Sequence, residues 1–65
     1  MPGKTGPELR KEREEAGVSR KRLARAILRD NVTLWRWENM LEVPPTVIVE
    51  YRAGIARLTE EGRVA

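Results

Sequence analysis

Between Arg20 and Arg29 the chain places five cations, Arg20, Lys21, Arg22, Arg25 and Arg29, and no acid. Cations at that density suit phosphate groups, as on a nucleic-acid-binding patch, and they also suit a solvated helix face. Other chemistry is poorly supplied. There is no Cys, which removes disulfides and thiolate metal sites, and no His, the commonest metal ligand and general base. Asp30 is the only Asp. The usual nucleophile-base pairs cannot be assembled, so neither an enzyme, a metal site nor a cofactor is expected. The charge is also unevenly placed. Residues 1–30 hold nine cations and five acids, net +4, whereas residues 31–65 hold four cations and five acids, net −1.

Sixty-five residues make one small domain. A chain this short buries only about 60% of the surface it exposes when unfolded, so its stability is marginal. Trp35, Trp37 and Tyr51 are the only aromatics. No apolar run approaches the ~18 residues of a membrane span, and Met1-Pro2-Gly3-Lys4 lacks the apolar stretch of a signal peptide. A cytoplasmic binding module without a membrane partner is the expectation.

The elements that must carry the cations follow from spacing. Residues 1–6 hold a Pro and two Gly and read as a flexible arm. Pro7 suits a first helical turn and Glu8 favours the dipole there. Leu9, Arg13 and Ala16 fall at helical spacing, and Gly17 stops the run as a C′ residue, so helix 1 is predicted at about 7–16. Ser19 reads as the N-cap of a second helix, about 20–28, with Leu23, Ala24 and Ile27 as its buried stripe. Asp30 is the next cap-type residue, ahead of a third helix at about 31–39 whose apolar side is Leu34 and Trp37. Pro44-Pro45 ends the following loop, and Pro45 can begin helix 4, about 45–59, with Val47 or Ile48, Tyr51, Ile55 and Leu58 inward. Gly54 within it costs about 1 kcal/mol relative to Ala, which points to close packing or a bend. Residues 61–65 should fray. Four short helices without a strand signal make an all-α domain, with 7–60 as its body.

Helix 2 begins with the wrong charge for folding. Arg20, Lys21 and Arg22 sit at the positive end of the macrodipole, where each cation costs a few tenths to about 1 kcal/mol. A capping box after Ser19 would have Glu or Gln at position 22, and this chain has Arg. Phosphates reverse the sign, because backbone N–H groups and cationic side chains at a helix N-terminus hold an anion together.

The run Leu9, Arg13-Glu14-Glu15-Ala16-Gly17-Val18-Ser19, Leu23-Ala24, Ile27, Thr33-Leu34, Arg36-Trp37-Glu38-Asn39 and Pro45 resembles the lambda-repressor-like helix-turn-helix domains of the Cro/C1, XRE-type family. The likeness covers about residues 7–58 without a gap. Its most specific parts are Glu-Glu-Ala-Gly-Val-Ser, the Leu-Ala pair and Arg-Trp-Glu-Asn, in order and at the right spacing. The resemblance implies a compact four- to five-helix domain in which the helix at 31–39 enters the major groove.

The same resemblance implies roles. Asn31, Val32 and Arg36 match positions that face base edges, and Trp35 lies between them, near DNA or in a dimer contact. Arg36 can bind guanine bidentately and Asn31 adenine, while Val32 can meet a thymine methyl. Arg20 matches a phosphate-gripping position, with Lys21 and Arg22 beside it. Thr33 and Asn39 are further phosphate contacts. Arg13 and Glu38 match an ion pair that joins helix 1 to helix 3, and Trp37 matches an apolar core position. Arg36 also suits an ordinary surface cation, and Asn31 a turn residue at the helix start.

Two positions depart from the family, Leu28 where its inter-helix turn has Gly and Met40 where Gly often follows Asn39. Leu does not take a left-handed conformation cheaply, so helix 2 is expected to run on with its turn at Arg29-Asp30-Asn31.

The expected function is a transcription regulator that binds double-stranded DNA sequence-specifically, of the size of a bacteriophage Cro-like repressor. A homodimer, formed in solution or only on DNA, would read a pseudo-palindromic operator, because one module discriminates few base pairs. Leu41, Val43 and the end of helix 4 are the apolar candidates for its surface. The rivals are the antitoxin of a toxin-antitoxin pair and a protein-interaction module that docks the basic face of helix 2 on an acidic partner.

Overall fold

A computed structural model describes residues 5–64, with side chains to Glu61. Helix α1 (Gly6–Glu15) starts earlier than expected. Thr5 is its N-cap and forms a capping box with Glu8: the Glu8 N–H donates to Thr5 Oγ1 at 3.3 Å and the Thr5 N–H to Glu8 Oε1 at 3.3 Å. Thr5 and Gly6 therefore belong to the helix rather than to an arm, and residues 1–4 of that expected arm lie outside the described residues. At the other end Gly17 takes φ +72°, with its N–H on Glu14 O and the Val18 N–H on Arg13 O, which together form a Schellman motif.

Helix α2 (Arg20–Ala26) is capped by Ser19, whose Oγ accepts from the Arg22 N–H at 3.2 Å. It is two residues shorter than predicted, because Leu28 does adopt the left-handed region, at φ +55°. The Leu28 N–H reaches Arg25 O and the Arg29 N–H reaches Ala24 O at 2.8 Å, the same hydrogen-bond pattern that closes α1. The turn therefore falls at residues 27–30 and α3 (Asn31–Glu38) begins at Asn31. Asp30 occupies the N-cap position with extended backbone, yet its carboxylate makes no capping hydrogen bond.

Helix α4 (Pro45–Val64) opens at Pro45 as expected and continues past the predicted end at Thr59. Its packed stripe does stop near Leu58, but each further residue adds a backbone hydrogen bond at little cost in a helix already nucleated. The i,i+4 pair Arg57–Glu61, at 3.5 Å, lies on this extension. Among the described residues the fold is therefore all-helical, with four helices and no strand.

Leu9, Val18, Leu23, Ala24, Leu34, Val43 and Tyr51 make the core, with Ile27, Trp37, Val47, Ile48, Ile55 and Leu58 packed against it. Helices α3 and α4 each pack on α1 and α2. The α1–α3 contact depends on Gly6. Its N–H donates to Met40 O at 2.8 Å, and a Cβ there would lie 2.5 Å from the carbonyl carbon of Glu38 and against the Trp37 carbonyl oxygen. The start of α1 can therefore rest directly on the end of α3. Among the described residues no helix is long and apolar enough to cross a membrane.

Candidate nucleic-acid interface

Helix α3 has two unlike faces, and the inner one fixes its position. Glu38 is 4% exposed, and both of its oxygens are engaged. Arg13 donates Nε to Oε2 at 2.9 Å and Nη2 to Oε1 at 3.4 Å, while Tyr51 Oη donates to Oε2 at 2.6 Å. Arg13 Nη1 also donates to Val18 O at 2.9 Å, so one guanidinium ties α1, the α1–α2 turn and α3 together. Burial works against the Arg13 charge, but Glu38 and Tyr51 more than offset it and hold its pKa above the ordinary arginine value. Burial, reinforced by the Glu38 carboxylate, pushes the Tyr51 hydroxyl far above the usual phenol range, so it stays a donor. Among the described residues no buried side-chain polar atom lacks a partner.

The structure thus brings Arg13 and Glu38 together, as the family resemblance implies, and adds a third member. Tyr51 is legible in the sequence only as part of an apolar stripe. The signal for its second role is that a hydroxyl at the centre of such a stripe must find a buried acceptor.

On the outer face Asn31, Val32, Trp35, Arg36 and Asn39 are all exposed. Val32 and Trp35 each keep about half of their surface, 54% and 51%. Arg36 has no acidic partner among the described residues. Trp37, two positions from Trp35, is half-buried against the core, with the Arg29 guanidinium 5.8 Å from its ring centroid. Thr33 is half-buried and so stands at the edge of the outer face. Asn39 Nδ2 donates to Trp35 O at 2.7 Å and closes the end of α3, which leaves its second amide N–H exposed.

Arg20 links the two faces. Its Nε donates to Asn31 Oδ1 at 3.2 Å and its Nη1 lies 3.7 Å from Glu38 Oε1. A guanidinium has five N–H donors, so these contacts orient Arg20 without exhausting it. Lys21 and Arg22 are exposed in the first turn of α2, and Arg22 also lines a groove with Arg25 and Arg57.

The basic run is smaller than its sequence suggested. Arg29 is held by Glu50 in a bidentate pair at 2.7 and 3.1 Å, which raises the Arg29 pKa and lowers that of Glu50. Arg10, Arg52 and Arg57 likewise face Glu14, Glu12 and Glu61. Among the described residues Lys11, Lys21, Arg22, Arg25 and Arg36 have no such partner, and all of these but Lys11 lie on α2 and the outer face of α3.

One dimer candidate is removed: Val43 is 4% exposed and belongs to the core, whereas Leu41 is 87% exposed. Among the described residues no group of His, Cys, Asp or Glu could hold a metal ion. No protein-family model, curated protein or solved structure matches the chain.

Proposed function

We infer that the protein is a sequence-specific double-stranded DNA-binding regulator of the lambda-repressor-like helix-turn-helix type, with α3 in the major groove. The observation that carries this reading is the outer face of α3, which offers an amide, an unpaired guanidinium and two half-exposed apolar side chains on one short helix. Amide and guanidinium read base edges by paired hydrogen bonds, and apolar groups read thymine methyls. Beside it, the first turn of α2 supplies backbone N–H groups with Arg20, Lys21 and Arg22, a combination that favours phosphate. Arg20, Lys21 and Arg22, with Thr33 at the edge, take backbone phosphates, and Asn31, Val32, Trp35 and Arg36 take bases. Asn39 holds the end of α3 with one amide N–H and can offer the other to a phosphate.

Selection of bound sequences from random duplex DNA tests the reading. A recovered motif, two-fold symmetric for a dimer, is the expected result, with affinity falling about 10³-fold or more between 50 and 200 mM salt if six or more phosphates are neutralised. Failure to enrich any sequence, or salt-insensitive binding, would overturn it.

A further inference from the structure

A second surface, on the seam between α2 and α4, has a chemistry of its own. Gly54 lets the two helices touch, since a Cβ at that position would lie 2.6 Å from both Leu23 Cδ1 and Ile27 Cγ2. Further along α4 the seam opens into a groove of about 320 Å³ between Arg22, Arg25 and Ala26 on one wall and Arg57, Leu58 and Glu61 on the other. Smaller depressions adjoin it at both ends. One, of about 250 Å³, shares Arg22 and Arg25 and reaches Ser19 and Lys21; the other, of about 260 Å³, shares Ala26 and Arg57 and reaches Ile27, Ala53, Gly54 and Glu50, whose carboxylate is already held by Arg29. No residue of α1 or α3 lines any of the three.

We propose that this seam is a docking groove for an acidic peptide segment of a partner protein, in which carboxylates flank an apolar side chain. The complementarity is specific. Arg22 and Arg25 have no acidic partner among the described residues, so they are free to receive carboxylates. Arg57 already accommodates one, from Glu61 at 3.5 Å, in an exposed pair that yields easily to a better-placed carboxylate. Between the cations lie Ala26 and the half-buried Leu58, a floor for an apolar side chain. A phosphodiester backbone would satisfy the arginines but brings no apolar group for that floor, which favours a peptide. No residue of α3 lines the groove, and of its three arginines only Arg22 is also a phosphate contact in the DNA-binding reading, so Arg25, Arg57 and the apolar floor stay open when the outer face of α3 is occupied.

Fluorescence anisotropy with a labelled peptide of about twelve Asp, Glu and Leu residues tests the proposal. Saturable binding is expected, weakened when Ser replaces the Leu residues, and weakened about tenfold by the double variant Arg25→Gln/Arg57→Gln. Both arginines are exposed, and circular dichroism checks that the variant keeps its helices. Arg36→Ala should leave peptide binding unchanged. The proposal is overturned if no saturable binding occurs, if the double variant binds as tightly as the wild type, or if Leu and Ser peptides bind equally. An equal loss of duplex-DNA affinity in Arg25→Gln/Arg57→Gln would overturn it too, by assigning the groove to a nucleic-acid surface.

Discussion

The inner and outer faces of α3 share eight residues of backbone and little else. Inward, Leu34 and Glu38 are buried, and Glu38 is bound by side chains from α1 and α4. Outward, Val32, Trp35 and Arg36 stand in solvent with no hydrogen bond to the rest of the protein through their side chains. Asn31 is tethered through Arg20, and Asn39 by its bond to the Trp35 carbonyl. The contrast separates two quantities. Placement of the helix rests on the inner face, and what the helix can recognise rests on the outer one. Substitutions should therefore divide into those that move melting temperature and those that move affinity.

The largest effect is expected from Glu38→Ala. It leaves Arg13 as a buried charge and Tyr51 as a buried donor without an acceptor, at a cost of about 3–5 kcal/mol. A domain of this length holds on the order of 3–10 kcal/mol in total, so the variant should be largely unfolded or melt far lower by circular dichroism. A melting temperature within about 5 °C of wild type would mean that the inner face is not what holds the helix. Gly6→Ala follows. The added methyl meets backbone at Trp37 and Glu38 rather than a movable side chain, so α1 must shift, at about 1–3 kcal/mol. The expected drop is about 4–8 °C per kcal/mol.

Arg36→Ala probes the opposite face. Its effect on stability should stay within about 0.5 kcal/mol, as for other exposed sites without a partner. DNA affinity should fall by about 1–3 kcal/mol, concentrated at one base-pair position of the selected motif. A uniform loss across all sequences would make Arg36 a phosphate contact, and a lowered melting temperature would erase the division between the faces.

How much of this is legible in the sequence depends on whether the deciding interaction is local. Gly17 as a C′ residue and Ser19 as an N-cap can be read because each acts within a few residues. The outer set of α3, Asn31, Val32, Trp35 and Arg36, is legible only through the family resemblance. The capping box of α1 is also local: Thr5 and Glu8 stand three apart, but Pro7 draws the expected start one residue too late and leaves Thr5 in an arm. Other features are tertiary and leave no local sign. Val43 is apolar in a loop, and only the packing of the loop distinguishes it from exposed Leu41. Arg29 belongs to a cationic run in sequence, and its commitment to Glu50 arises because α4 passes beside the turn. Asn39 resembles a DNA contact by position, yet its amide closes its own helix.

Leu28 is where local propensity and tertiary demand oppose each other most directly, and it supplies the smallest predicted effect. Helices α1 and α2 end with the same hydrogen-bond pattern, one around Gly17 and the other around Leu28. The second turn must reverse the chain within four residues so that Asn31 can start α3, and the left-handed residue falls on Leu28 whatever its side chain prefers. That conformation costs a non-glycine residue about 1–2 kcal/mol. Leu28 recovers little by packing, since it is 91% exposed. Leu28→Gly removes the strain and adds about 0.5–1 kcal/mol of unfolded-state entropy, so a net stabilisation of about 0.5–1 kcal/mol is expected as a higher melting temperature. Because the turn geometry is kept, DNA affinity should stay within about twofold, a change of under 0.5 kcal/mol. If the melting temperature rose while affinity fell, the exposed leucine would belong to the recognition surface, and the outer face would extend past α3 into the turn before it.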